Sequence, residues 1–213
     1  MAMDQVPKPP TLLSRLVKRG VLALFRWKGW QLDPAAPAPH RCIILGVPHT
    51  SNWDFVFFTG TTYHYGIAPG FMGKTSLFRW PLRQFMFDMG GIPVDRSAQD
   101  QNYVEQVIAA FAGRDELALV IAPEGTRSPG KTWRSGFYHI ALGAGVPLVP
   151  AWVDNATLRG GLGPPIMPTG DYAADLAKVL AFYESVMPGH PRWKLLAATV
   201  AQAAKTATGG HDA

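Results

Sequence analysis

The stretch Cys42-Ile43-Ile44-Leu45-Gly46-Val47-Pro48-His49-Thr50-Ser51-Asn52-Trp53-Asp54 decides the fold. An apolar run of strand length ends at Pro48 in a polar turn, and the turn opens onto residues 53–65, whose spacing is helical. The same alternation recurs along the chain. Apolar runs of strand length lie at 71–73, 92–94, 117–122 and 146–153, and helical spacing is found at about 77–88, 101–111, 135–144 and 173–187. In residues 101–111, Tyr103, Val104, Val107, Ile108 and Phe111 form the apolar stripe, and Ser97 and Asp100 are available as caps. Strands alternating with helices predict an α/β chain: a single domain with a mixed, largely parallel sheet flanked by helices.

Length and composition bound this reading. The 213 residues are 47% hydrophobic and 16% charged, and no composition shift divides them, so one domain is expected. No run approaches the ~20 apolar residues of a membrane-spanning helix, since glycines and prolines break the longest candidate, 138–153. The single cysteine, Cys42, excludes an intramolecular disulfide and reads as a buried strand residue rather than a nucleophile. The six histidines are scattered, with no H-E-x-x-H, so no metal site is expected.

The net charge of +5 is concentrated near the start, where Lys8, Arg15, Lys18, Arg19, Arg26 and Lys28 stand against Asp4. A helix over 12–27 sets Leu12, Leu13, Leu16, Val17, Val21, Leu24 and Phe25 on one side and most of the basic residues on the other. Such a helix either lies in an anionic lipid interface or docks on the protein's own core; the first reading makes residues 1–33 an amphipathic membrane-surface element. Trp27, Trp30 and Trp80 are candidate rings at headgroup level. The apolar run 21–25 is too short for a secretory signal, which leaves the N-terminus expected in the cytoplasm. Residues 34–40 form a proline-rich connector, 41–205 the main domain, and 206–213 a tail expected to be disordered.

Three segments carry candidate chemistry. His49 and Asp54 flank the turn after the first strand, where ligands sit in open α/β sheets. An imidazole oriented by a carboxylate can act as a general base near neutral pH, although Asp54 could equally be a first-turn residue favoured by the helix dipole. Pro123-Glu124-Gly125-Thr126-Arg127-Ser128 ends another apolar strand. Its glycine permits a tight turn and Thr126, Arg127 and Ser128 supply donors suited to phosphate, while a capped turn with a Glu124–Arg127 ion pair is the plainer alternative. Gly91-Ile92-Pro93-Val94-Asp95-Arg96 ends a third strand on another arginine, and there Asp95 and Arg96 could simply cap the next helix.

Together these segments resemble the glycerolipid acyltransferase family, which includes bacterial lysophosphatidate acyltransferases. His49 and Asp54 fit the family's H-x-x-x-x-D motif, the segments at 91–96 and 123–128 fit its second and third motifs, and Val146-Pro147-Leu148-Val149-Pro150 fits its fourth. The resemblance implies that His49 deprotonates an acceptor hydroxyl while Asp54 holds the imidazole. It implies further that Arg96, Glu124, Gly125, Thr126 and Arg127 serve the acceptor's phosphate end, with Lys74 as a further contact or merely a surface lysine. The expected reaction is transfer of an acyl group from acyl-coenzyme A or acyl-carrier protein to a lysophospholipid, with lysophosphatidate as the leading acceptor. No cofactor and no nucleic acid would take part, and the protein would sit peripherally on the cytoplasmic face of the cell membrane. Pro48 stands where the family commonly has asparagine, and Trp53 sets a ring beside Asp54, so acceptor choice is expected to differ. The chain ends soon after the fourth motif, as in a compact member. Of Trp53, Phe55, Phe57, Phe58, Tyr63 and Tyr65, most are expected to pack the core, since consecutive aromatics on one helix cannot all face one groove.

Overall fold

The computed structural model describes residues 10–34, 38–48, 53–95, 100–125 and 132–208. The opening apolar run becomes β2 (Arg41–Val47), and it occupies the middle of a seven-stranded sheet. Around it are α1 (Leu12–Lys28), β1 (Gln31–Leu32), α2 (Trp53–His64), β3 (Pro69–Lys74), α3 (Arg83–Asp88), β4 (Gly91–Val94), α4 (Asp100–Ala112) and β5 (Leu117–Ile121). α5 (Gly136–Ala144), β6 (Leu148–Asp154), β7 (Arg159–Leu162), α6 (Tyr172–Val186) and α7 (Trp193–Thr208) follow. The strand order is β1-β7-β6-β2-β5-β3-β4. β2 pairs in parallel with both β5 and β6, and β3 in parallel with β5 and β4, so the carboxyl ends of these five strands share one edge. β7 runs antiparallel to β6 and carries β1 beside it. The sheet is therefore mixed and largely parallel, as the alternation of elements predicts.

Successive side chains of a strand face opposite ways, and β2 shows the consequence. Ile43, Leu45 and Val47 face the main core, where they meet Val107 and Phe111 of α4, Ile140 of α5, Leu176 and Tyr183 of α6, and Leu196 of α7. Cys42 and Ile44 face the other side with Ala118, Val149 and Ala151. Cys42 is fully buried, and burial pushes its thiol up to about 12, which fits an inert core residue. The Tyr183 hydroxyl is shared between the carbonyls of Leu45 (3.0 Å) and Ala151 (3.3 Å), tying α6 to two neighbouring strands.

The N-terminal helix divides its apolar stripe between the two roles open to it. Its end half docks: Phe25 packs with Trp30, Val56, Phe57 and Val153, helped by Val21 and Leu24. Gly60 of α2 permits this approach, for a Cβ there would lie 2.2 Å from the Phe25 ring. Its first half leaves Leu12, Leu13 and Leu16 more than half exposed. Thr11 caps the helix through Ser14 N–H, and the Asp88 carboxylate of α3 accepts from Thr11 N–H (2.9 Å) and Ser14 Oγ (2.6 Å). Burial alone would raise the Asp88 carboxyl, but the bonds from Ser14, Thr11 and Gln84 outweigh it and hold the group below its ordinary value.

Several boundaries differ from the sequence reading. The helix expected at 77–88 is a short 3-10 turn, Thr75–Phe78, followed by α3, because Pro81 lacks an N–H and disfavours helical geometry in the residue before it. Helix α7 continues to Thr208, three residues into the segment assigned to the tail. Its alanine-rich sequence keeps helical propensity, and Thr206 Oγ1 donates to Gln202 O (3.0 Å). Trp30 does not reach a headgroup level: it is 7% exposed and stacked on Phe25, whereas Trp27 and Trp80 are exposed. Ser97 lies outside the described residues, and α4 begins at Asp100.

Candidate active site

The parallel strands deliver the singled-out segments to one edge. β2 ends at Val47 and α2 begins at Trp53, which puts Asp54 in the first turn of α2, where the helix dipole favours a carboxylate. β5, the neighbour of β2, ends at Ile121 and leads into Pro123, Glu124 and Gly125. β3, on the far side of β5, ends at the exposed Lys74, which is in register with Val94 of β4. Asp54, Glu124, Gly125 and Lys74 thus sit over three adjacent strand ends. His49, Arg96, Thr126 and Arg127 lie outside the described residues. The fourth motif has a different place: Val146, Leu148 and Val149 are buried, and Leu148, Val149 and Pro150 pair with Ile43, Ile44 and Leu45 of β2. It therefore builds the core rather than the edge.

Glu124 is 6% exposed and forms an ion pair with Arg192, which comes from the turn between α6 and α7. Such a pair is costly to desolvate and is kept in place by good geometry. Gly125 turns with φ +64 and donates its N–H to Ala122 O (3.0 Å). Arg134 returns over this turn: its N–H donates to Pro123 O (3.1 Å), and a Cβ on Gly125 would lie 3.3 Å from its Nε. Two arginines therefore flank the Glu124 turn, and sequence reasoning missed both. Arg192 lies 68 residues from its partner in a Gly-His-Pro-Arg turn that carries no motif. Beside it, His190 packs on Trp193, and burial, then the Arg192 charge, lowers its imidazole below its ordinary value.

Below the edge, between α2 and the sheet, lies a cavity of ≈ 520 Å³, a size within the usual range for small-molecule sites. Pro48 and Asp54 line one end, Thr61, Thr62 and Ile67 the other, and Ile44, Met72, Val120 and Trp152 the walls between. Phe55, Phe57 and Phe58 also line it, and of the six aromatics from Trp53 to Tyr65 only Phe57 is buried while Trp53, Phe55 and Tyr63 are exposed, so the expectation that most of them pack the core does not hold: the helix turns several of its rings to the cavity and to solvent. A space whose walls are apolar, with a carboxylate at one end, suits a long hydrocarbon chain carrying a reactive head. The three threonines of α2 differ in one respect. Thr59 Oγ1 donates to Phe55 O (2.9 Å) and Thr62 Oγ1 to Phe58 O (2.9 Å), whereas Thr61 Oγ1, in a residue 3% exposed, has no hydrogen-bond partner among the described residues.

A model of the acyltransferase family matches residues 34–154. The 1-acyl-sn-glycerol-3-phosphate acyltransferase of Salmonella typhimurium is 29% identical over 140 residues, covering 63% of this chain and 56% of that protein. The protein of the same name from Haemophilus influenzae is 32% identical over 118 residues, covering 52% of this chain and 46% of its own length. The chain thus spans about half the length of the curated relatives it matches. Among solved structures, the 1-acyl-sn-glycerophosphate acyltransferase PlsC from Thermotoga maritima aligns with a TM-score of 0.49 at 15% identity, over 94% of this chain and 81% of that one. The family match takes in β2, the Asp54 turn, the Glu124 turn and β6, more than half of the 213 residues, and the chain belongs to the acyltransferase family.

Proposed function

We propose that this protein transfers a fatty acyl group from a thioester to the hydroxyl of a lysophospholipid, with lysophosphatidate as acceptor and phosphatidate as product. The observation that carries this reading is the apolar cavity that runs from Pro48 and Asp54 beneath the length of α2. It offers an acyl chain an apolar bed and leaves the thioester carbonyl at the strand edge. The names of the curated relatives favour the same acceptor.

In this reading His49 takes the proton of the acceptor hydroxyl as it attacks the thioester carbonyl. Asp54, five residues on, orients the imidazole and stabilises its protonated form. The tetrahedral intermediate collapses with loss of the thiol, which recovers the proton from His49. A thioester is already activated, so no covalent enzyme intermediate and no cofactor is required. Arg96, Thr126, Arg127, Gly125 and Lys74 receive the acceptor's phosphate. Glu124, itself an anion, serves that end indirectly by holding the turn through Arg192. The donor is acyl-coenzyme A or acyl-carrier protein.

The exposed Leu12, Leu13 and Leu16, on the same helix as Arg15, Lys18 and Arg19, and the exposed Trp80 favour attachment to an anionic membrane surface. No described helix is long and apolar enough to cross a membrane. We assign the protein to the cytoplasmic face as a peripheral enzyme. The test is to supply labelled acyl-coenzyme A and acyl-carrier protein with lysophosphatidate, a lyso-aminolipid and glycerol phosphate, and to identify products by mass. Phosphatidate is expected. A product from another acceptor alone would move the substrate assignment, and free fatty acid alone would make the protein a hydrolase.

A further inference from the structure

Arg134 reaches the strand edge from a backbone that the core holds in place. Its neighbour Trp133 is 6% exposed, sets its ring edge-on to Phe137 (centroids 5.9 Å apart) and Tyr183 (6.2 Å), and donates its N–H to Thr199 Oγ1 (3.2 Å). Arg134 N–H is bonded to Pro123 O, and α5 starts two residues later at Gly136. From this footing the side chain runs across Gly125: a Cβ on that glycine would lie 3.3 Å from Nε, 3.4 Å from Cδ and 3.8 Å from Cζ. The guanidinium therefore lies beside the place where a larger residue at 125 would put its side chain, while Arg134 itself is exposed. Among the described residues no carboxylate pairs with it, and Glu124, one residue before the glycine that Arg134 covers, is engaged by Arg192. An exposed cation contributes little to stability by itself, and this one is available to an anion brought by a ligand.

We infer that Arg134 is a further contact for the phosphate of the acceptor, placed over the Gly125 turn. The inference rests on the reading of the protein as a lysophosphatidate acyltransferase. A phosphate monoester carries about −1.5 to −2 charges near neutral pH, and a guanidinium offers it a planar pair of donors. Lys74, exposed at the end of β3 beside β5, supplies a point charge from the adjacent strand end. Because Trp133 and the bond to Pro123 O fix the Arg134 backbone, less freedom is lost when the side chain takes its ligand.

The test is steady-state kinetics of the full chain in mixed micelles for wild type, Arg134→Met and Arg134→Lys, with lysophosphatidate and the acyl donor varied in turn. Arg134→Met should raise the lysophosphatidate KM about tenfold, the lower end of what a hydrogen bond to a charged group commands, with kcat, the donor KM and the melting curve unchanged. Arg134→Lys, which keeps the charge and loses the fork, should fall between the two. Inorganic phosphate should compete with lysophosphatidate less well in Arg134→Met than in wild type. Equal competition by phosphate, an acceptor KM within about twofold of wild type, or a fall in kcat with both KM values rising together would overturn the inference and leave the function as proposed. Wild-type protein that makes no phosphatidate from either donor would remove that reading and this inference with it.

Discussion

Replacing Arg192 with methionine withdraws the guanidinium from Glu124, whose side chain is 7% exposed, while that of Arg192 is 15% exposed. Removing one member of a buried ion pair costs about 3–5 kcal/mol, because the remaining charge stays in a poorly polarisable site. The Arg192 end reaches solvent, so the lower end of that range applies. In a chain of this size each kcal/mol moves the melting temperature by about 2–4 °C, so Arg192→Met should melt roughly 6–12 °C below wild type. The double variant Glu124→Gln, Arg192→Met removes both charges of the pair and should lose less than half as much. Circular-dichroism melts of wild type, both single variants and the double variant close the cycle. A single variant within about 2 °C of wild type, or a double variant that loses the sum of the singles, would refute the view that this pair fixes the turn.

Other outcomes follow from the same geometry. Ala151→Phe fills part of the cavity wall. It should shift donor preference towards shorter acyl chains in a chain-length competition, at a stability cost of about 1–3 kcal/mol; an unchanged preference would exclude the cavity as the chain's bed. Leu13→Ser with Leu16→Ser alters only the exposed part of α1, so it should weaken sedimentation with anionic vesicles while leaving the melt unchanged. Asp175 is fully buried and accepts from Lys178, Thr169 and Tyr138. Burial would raise its carboxyl, but these bonds together hold it below its ordinary 3.8. Its contribution is therefore complete above pH 3.8 and lost as the pH falls through the lower folded value. Asp175→Asn should be less stable at neutral pH, and its urea midpoint should fall less steeply on acidification than that of wild type.

Local pattern carried much of this architecture. The runs at β2, β5 and β6 are legible because a strand buried on both faces is apolar throughout, and the Asp54 and Glu124 turns are legible because they follow such runs directly. β1 and β7 were not legible: one has two residues and the other is Arg-Gly-Gly-Leu, so neither shows a periodicity. Helix α7 was missed although Trp193, Leu196, Thr199 and Val200 share one face of it, because most of its remaining residues are small or polar and draw no attention as an apolar run. At the site, Lys74 reaches the edge through strand order, which spacing alone does not encode. Arg134 and Arg192 reach the Glu124 turn through tertiary packing, and neither lies in a recognisable motif.

The most direct measurement is the rate of labelled phosphatidate formation from acyl-coenzyme A or acyl-carrier protein and lysophosphatidate in mixed micelles, for wild type and His49→Ala side by side. Wild-type turnover that falls by about 10²- to 10⁴-fold in the variant, with the melting curve unchanged, is the expected result. A His49→Ala protein as active as wild type would contradict the assignment of His49 as general base and, with it, the proposed mechanism.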